Sequence, residues 1–76
     1  MNTDTETTNN TLVVTVRSEN QLGYFVRWFD SQDAQEKEGF IHIQSLFRSR
    51  KLVVGSQYHA RIIRTDGEYN DLVLVS

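Results

Sequence analysis

The strongest constraint on this chain is a period of two. In Leu22-Gly-Tyr-Phe-Val-Arg-Trp-Phe29, the side chains of Tyr24, Val26 and Trp28 fall on one face of an extended strand, and those of Phe25, Arg27 and Phe29 fall on the other. An unpaired guanidinium is costly to bury, so the Arg27 face is expected to be wet, with two phenylalanines beside a cation in water. Gly39-Phe-Ile-His-Ile-Gln-Ser-Leu46 repeats the pattern, with Ile41 and Ile43 expected inward and Phe40, His42 and Gln44 outward. Exposed aromatics interleaved with cations on adjacent strands make a stacking surface for unpaired bases. The competing reading is two ordinary amphipathic strands whose outer phenylalanines are covered by a loop or a partner.

The same alternation organises the rest of the chain. Residues 1–11 carry no apolar side chain after the initiator and are expected to be a mobile tail, since nothing offsets the entropy of ordering them. Leu12-Val-Val-Thr-Val-Arg17 suits a first strand, and Ser18 to Gln21 a polar turn. The second strand is expected over Leu22–Phe29 and the third over Phe40–Ser45. The wholly polar Asp30–Gly39 segment reads as a long hairpin loop, with a helical turn over Asp33–Lys37 as a minor alternative. Leu46-Phe-Arg-Ser-Arg-Lys-Leu52 lacks alternation and predicts a short helical turn across one end, with Leu46 and Phe47 tucked inward. Tyr58, Ala60 and Ile62 alternate with His59, Arg61 and Ile63 in a fourth strand. Asp66-Gly67 signals a hairpin into a last strand, Leu72–Val75, expected to be buried on both faces. Five strands with one longer excursion between the third and fourth predict a small all-β Greek-key barrel spanning residues 12–76.

At 76 residues the chain is one small domain, burying roughly 60% of its unfolded surface. It has no cysteine, which removes disulfides and thiolate metal sites and fits a reducing compartment; the cytoplasm is the expected location. No secretory signal or membrane-length apolar run is visible. The formal charge of −2 hides segregation: Gly39 to Thr65 contains no Asp or Glu but holds Arg48, Arg50, Lys51, Arg61 and Arg64. Local fields of this kind steer partners, whereas net charge mainly governs solubility. The acids cluster at Asp30, Asp33, Glu36 and Glu38, and again at Asp66, Glu68 and Asp71. For catalysis the inventory is thin: two histidines, no phosphate-cradling glycine loop, and no third metal ligand at meaningful spacing. No cofactor, metal or enzymatic activity is expected, and His42 serves better as a stacking ring or a donor to a base.

Val14-Thr-Val-Arg-Ser18, Leu22-Gly-Tyr-Phe-Val26, Glu38-Gly-Phe-Ile-His-Ile43, Leu52-Val-Val-Gly55 and Ile62-Ile-Arg-Thr-Asp66, in that order, resemble the S-one RNA-binding domain, an oligonucleotide-binding (OB) fold. The resemblance covers residues 12–75 and implies a five-stranded OB barrel with a short helical turn between strands three and four. It also implies RNA contacts from two aromatics around the first hairpin glycine, the histidine of strand three and an arginine near the last hairpin. The second aromatic corresponds to Phe25 and the histidine to His42; Leu22 stands at the first aromatic position, and Asn70 or Asp71 at the arginine. Cold-shock domains share the barrel, but their aromatic-rich first strand is missing here.

Val14-Thr-Val-Arg-Ser18, Ser45-Leu-Phe-Arg-Ser-Arg50 and Ile63-Arg-Thr-Asp66 are more distantly similar to the first domain of the alpha subunit of translation initiation factor two. There a serine before an arginine run is the target of stress kinases; the corresponding Phe47 accepts no phosphate. Viral decoys of those kinases have this property, although their closing Gly-Tyr-Ile-Asp is replaced by Glu68-Tyr-Asn-Asp71. The expectation is therefore a single-stranded RNA-binding module of translation or RNA metabolism, with single-stranded DNA as a second ligand. Its candidate contacts are Phe25, Arg27, Phe29, Phe40 and His42 on the strands, and Arg48, Arg50, Lys51 and Arg61 from the basic tract. The alternative is a protein-binding barrel whose partner is a ribosome, an RNA-processing enzyme or a kinase; no membrane is involved in either.

Overall fold

The computed structural model describes residues 11–75. Five strands follow one another: β1 (Leu12–Glu19), β2 (Gly23–Asp30), β3 (Gln35–His42), β4 (Gln57–Asp66) and β5 (Tyr69–Leu74). They close into a barrel in the order β1-β2-β3-β5-β4, with β4 pairing back onto β1. Every neighbouring pair is antiparallel except β3 and β5, which run parallel through Phe40 opposite Asp71 and Ile41 opposite Leu72. This is the expected all-β, five-stranded OB barrel. The expected polar tail lies outside the described residues except for Thr11, which is exposed and outside any strand. Among the described residues no helix is long and apolar enough to cross a membrane.

Alternation fills the barrel as anticipated on β1 and β2. Val14, Val16, Tyr24, Val26 and Trp28 pack with Ile41, Leu46, Leu52, Ala60 and Leu72 in one buried cluster. A bulge at Arg17, between Val16 and Ser18, bends β1. The following turn is fastened by Asn20, whose side-chain oxygen accepts the Leu22 and Gly23 amides at 2.8 and 3.0 Å. Two glycines are fixed by space. A Cβ on Gly23 would strike the Ile41 carbonyl and the Phe40 ring, and one on Gly39 would strike Leu72 and the Asn70 carbonyl. Gly39 thus lets β5 approach β3 closely enough to close the barrel.

The polar Asp30–Gly39 segment is not one long loop. Its second half belongs to β3, which pairs with β2 along its whole length from Gly23 opposite His42 to Asp30 opposite Gln35. Only Ser31–Ala34 turns, and no helical turn forms there. Charge replaces apolar patterning in this hairpin. The Asp30 carboxylate accepts the Gln32 amide at 2.9 Å, and the Lys37 ammonium lies 3.3 Å from Asp30 and 2.9 Å from Asp33. The Gln32 amide, followed by Lys37, holds the Asp30 carboxyl below the usual aspartate range, and Asp33 and Asp30 push the Lys37 amine up. Lys37 starts on the barrel-facing side opposite Trp28, so its long stem carries the charge out to these partners.

Further differences follow from where alternation stops. β3 ends at His42; the Ile43 amide donates to the Leu22 carbonyl at 2.8 Å and opens a 3-10 turn, Ile43–Ser45, which leaves Ile43 exposed rather than inward. A second 3-10 turn, Phe47–Ser49, follows with Arg48 in the left-handed region. Leu46 plugs the barrel end as expected, but Phe47 does not: it is 76% exposed. The chain reverses between these neighbours, so only one of them faces the barrel, and Leu52 supplies the second plug. Two tyrosines anchor this linker, with the Tyr24 hydroxyl accepting the Leu52 amide at 3.2 Å and the Tyr58 hydroxyl accepting the Val53 amide at 2.8 Å. β5 starts earlier than expected and is not buried on both faces: Leu72 is buried, Val73 and Leu74 are half-buried and Val75 is exposed.

Candidate functional site

The outer face of β2 and β3 carries Phe25, Arg27 and Phe29 opposite Phe40, Glu38 and Glu36 respectively. At the end nearest the β1–β2 turn, three rings form a continuous row. The Phe25 and Phe40 centroids are 4.8 Å apart at an interplanar angle of 64°, and the Phe40 and His42 centroids are 4.9 Å apart at 81°. Both contacts are edge-to-face, the arrangement that the aromatic quadrupole favours. Gly23, opposite His42 on the ladder, leaves room for the middle ring.

The outer two rings meet solvent and the middle one does not. Phe25 is 41% exposed and His42 is exposed, whereas Phe40 is 3% exposed beneath them. Phe40 is therefore on the expected face but is not the exposed contact anticipated from the sequence. Its neighbours on both strands cover it, and it acts as the support on which Phe25 and His42 are set. Phe29, 64% exposed, stands further along β2 opposite Glu36. A depression of about 270 Å³ beside Phe25 is lined by Arg17, Ser18, Val26, Glu38 and Gly39.

Acids share this face, which the sequence reading missed by assigning Glu36 and Glu38 to a loop. The Arg17 guanidinium lies 3.2 Å from the Glu38 carboxylate, and that of Arg27 lies 3.9 Å from Glu36. Asp71, brought alongside Phe40 by the parallel β3–β5 pairing, points an oxygen at His42 Nε2 3.6 Å away. That oxygen is buried and has no hydrogen-bond partner. Asn70, also unnoticed in the sequence as structural, is buried beside it, donating to the Glu38 carbonyl at 2.9 Å and accepting the Thr65 hydroxyl at 2.9 Å. Alternation counted back from Leu72 places Asp71 outward, but only the barrel closure places it beside His42.

The basic tract is not part of this surface. Arg48, Arg50 and Lys51 sit on the linker across the barrel end, with Arg48 5.1 Å from the Phe47 ring centre and Arg50 5.6 Å from that of Tyr58. Arg61 is on β4, which β1 and β5 separate from β2 and β3. The strand candidates Phe25, Arg27, Phe29, Phe40 and His42 are thus brought together, and the four tract candidates lie elsewhere.

No protein-family model matches this sequence, and no curated protein sequence matches it. Among solved structures, the chain is similar to a multidomain protein with nucleic acid binding domains from Streptococcus pneumoniae TIGR4. The two are 21% identical with a TM-score of 0.69 over 90% of this chain. The chain spans only 22% of that protein's length, and the likeness is one of fold.

Proposed function

We propose that this barrel is a non-catalytic module that binds single-stranded RNA across the Phe25 end of the β2–β3 face. The observation that carries the reading is the Phe25–Phe40–His42 row, two accessible rings held by a buried third. A ring fixed edge-on by a neighbour offers a face to a base at little entropic cost, and every base has a complementary π-face. His42 adds a donor, and Arg27 with Arg17 supplies cations that a phosphate can recruit from their exposed carboxylate partners. The resemblance to S-one domains and the nucleic acid binding domains of the pneumococcal neighbour support the same assignment, with a role in translation or RNA metabolism in the cytoplasm.

Titration of a fluorescent oligouridylate and oligoadenylate against the wild type and Phe25→Ala tests it. Loss of one stacked base costs about 1 to 3 kcal/mol, or roughly 5-fold to 150-fold in Kd. Equal Kd values for the two proteins would remove the stacking face from the account.

One observation favours a second reading, a protein-binding barrel of the kinase-decoy kind. Phe47 stands out from the linker with Arg48 beside it. Competitive inhibition of an initiation-factor-two-alpha kinase by the chain, abolished by Phe47→Ala and unaffected by Phe25→Ala, would select that reading over RNA.

A further inference from the structure

The cations of this barrel divide by side. Arg17, Arg27 and Lys37, on β1, β2 and β3, all have carboxylate partners. Arg48, Arg50, Lys51, Arg61 and Arg64 have none within 4.0 Å among the described residues. Unneutralised charge therefore gathers on the linker and along β4, which β1 and β5 separate from the strands of the aromatic row.

β4 arranges that charge in a line. His59 and Arg61 point outward, beside Val13 of β1 and Val73 of β5 respectively, with no acid opposite either. Strict alternation would turn Arg64 to the interior. A bulge at Ile63 instead shifts the register so that Arg64 stands opposite outward-facing Asp71 and joins Arg61 on the same side. Bulges re-aim side chains in this way, at the cost of one unpaired residue in the ladder. No Asp71 oxygen comes within 4.0 Å of the Arg64 guanidinium, and one of them lies 3.6 Å from His42 Nε2. At the other end, Arg50 over the Tyr58 ring borders a depression shared with His59 and Val75, with no carboxylate among the described residues that line it. His59 and Arg61, two apart on β4, are about 6.8 Å apart, and Arg64 follows past the bulge.

We propose that the β4 side, through Arg50, His59, Arg61 and Arg64, is a second nucleic-acid site that grips the sugar–phosphate backbone without contacting bases. The barrel then holds two strand segments, one along β2–β3 and one along β4, with Asp71 of β5 standing between Arg64 and the aromatic row. The inference rests on the RNA reading only for the identity of the polyanion; the charge row stands without the aromatic face.

Inorganic polyphosphate, which offers charge but no base, separates the two sites. The wild type is expected to bind it with an affinity that falls steeply between 50 and 200 mM salt, each neutralised phosphate adding about 0.7 to the log–log slope. Arg61→Glu with Arg64→Glu is expected to weaken it by roughly tenfold or more, and Phe25→Ala to leave it unchanged. Arg61→Gln with Arg64→Gln, milder for folding and checked by circular dichroism, should give a smaller loss in the same direction. With a short oligoribonucleotide, two molecules should bind per wild-type barrel and one per doubly reversed variant. Absent polyphosphate binding, indifference to the arginine substitutions, or binding of polyglutamate in preference to polyphosphate would overturn the proposal. A base-dependent loss in Phe25→Ala would persist in each of those cases, so the two sites fail separately.

Discussion

Phe40→Ala distinguishes a supporting ring from a binding ring. The Phe40 side chain lies on the outside of the barrel yet is covered by Phe25, His42 and the Gly23 backbone. A phenylalanine buries about 150 to 250 Å². Truncation to alanine removes roughly 120 Å² of buried apolar surface, worth about 3 kcal/mol at 25 cal/mol per Å². The two edge-to-face contacts at 4.8 and 4.9 Å add about 0.5 to 1.5 kcal/mol each, less whatever the two flanking rings recover by collapsing together. With most of those ring contacts recovered by collapse, the loss is about 3 to 4 kcal/mol, within the range measured for buried phenylalanines. A domain of this size has roughly 3 to 10 kcal/mol of total stability, so the variant is expected to be marginal. Its Tm should fall by about 12 to 30 °C. Phe25→Ala removes a ring already partly in water and should cost about half as much, while weakening RNA binding. Phe40→Leu, which retains most of the volume, should recover most of the melting temperature. Calorimetry of the three variants checks the order. A Phe40→Ala Tm within about 5 °C of the wild type would show that the ring is not covered and that the support argument is wrong.

Gly39→Ala should destabilise the barrel by about 1 to 3 kcal/mol or prevent its closure, because the new methyl meets the Asn70 carbonyl and Leu72; urea unfolding measures the loss, and an unchanged midpoint would contradict the close β3–β5 approach. Asp30 and Lys37 give a pH signature in the β2–β3 hairpin. The Asp30 carboxyl is lowered from 3.8, so its contribution is present above that value and disappears as pH falls through its lower folded value. The Lys37 amine is raised from 10.5, so its contribution is full below that value and disappears as pH rises through the higher folded one. Amide protection in Ser31–Lys37, corrected for intrinsic exchange, should fall at both extremes in the wild type; Lys37→Met should lose the alkaline dependence and keep most of the acid one, which rests first on the Gln32 amide.

Much of the barrel was legible because one side of a strand must face a core. Val14 and Val16, Tyr24, Val26 and Trp28, Ile41 and Ala60 declare their faces by alternation alone, and all are buried. What alternation cannot show is where it breaks. The end of β3 at His42, the reversal that exposes Phe47 and the bulge at Ile63 are each decided by tertiary contacts. The first half of β3 was invisible for a different reason. Gln35–Glu38 carry no apolar signal, and the hairpin is held instead by the β2 ladder and by charges on its partner strand.

The site shows the same limit from the electrostatic side. A run without acids between Gly39 and Thr65 identifies where positive charge is concentrated in sequence, but a field depends on which carboxylates arrive in space. Arg27 is expected to be a free cation beside two phenylalanines, and the strand pairing brings Glu36 within 3.9 Å of it. Arg61 is expected to serve the aromatic face, and the strand order carries it around the barrel. Stacking groups and unneutralised charge are therefore separated by the topology, although they alternate in the chain. A ligand that uses both must reach around β1 or β5, whereas a single short strand meets rings with tempered charge on one side or charge without rings on the other. That separation makes Phe25→Ala and the β4 arginine reversals independent perturbations: one removes sensitivity to the base, the other sensitivity to salt. Coupled losses, in which either change abolishes both sensitivities, would require the two faces to act on one continuous strand.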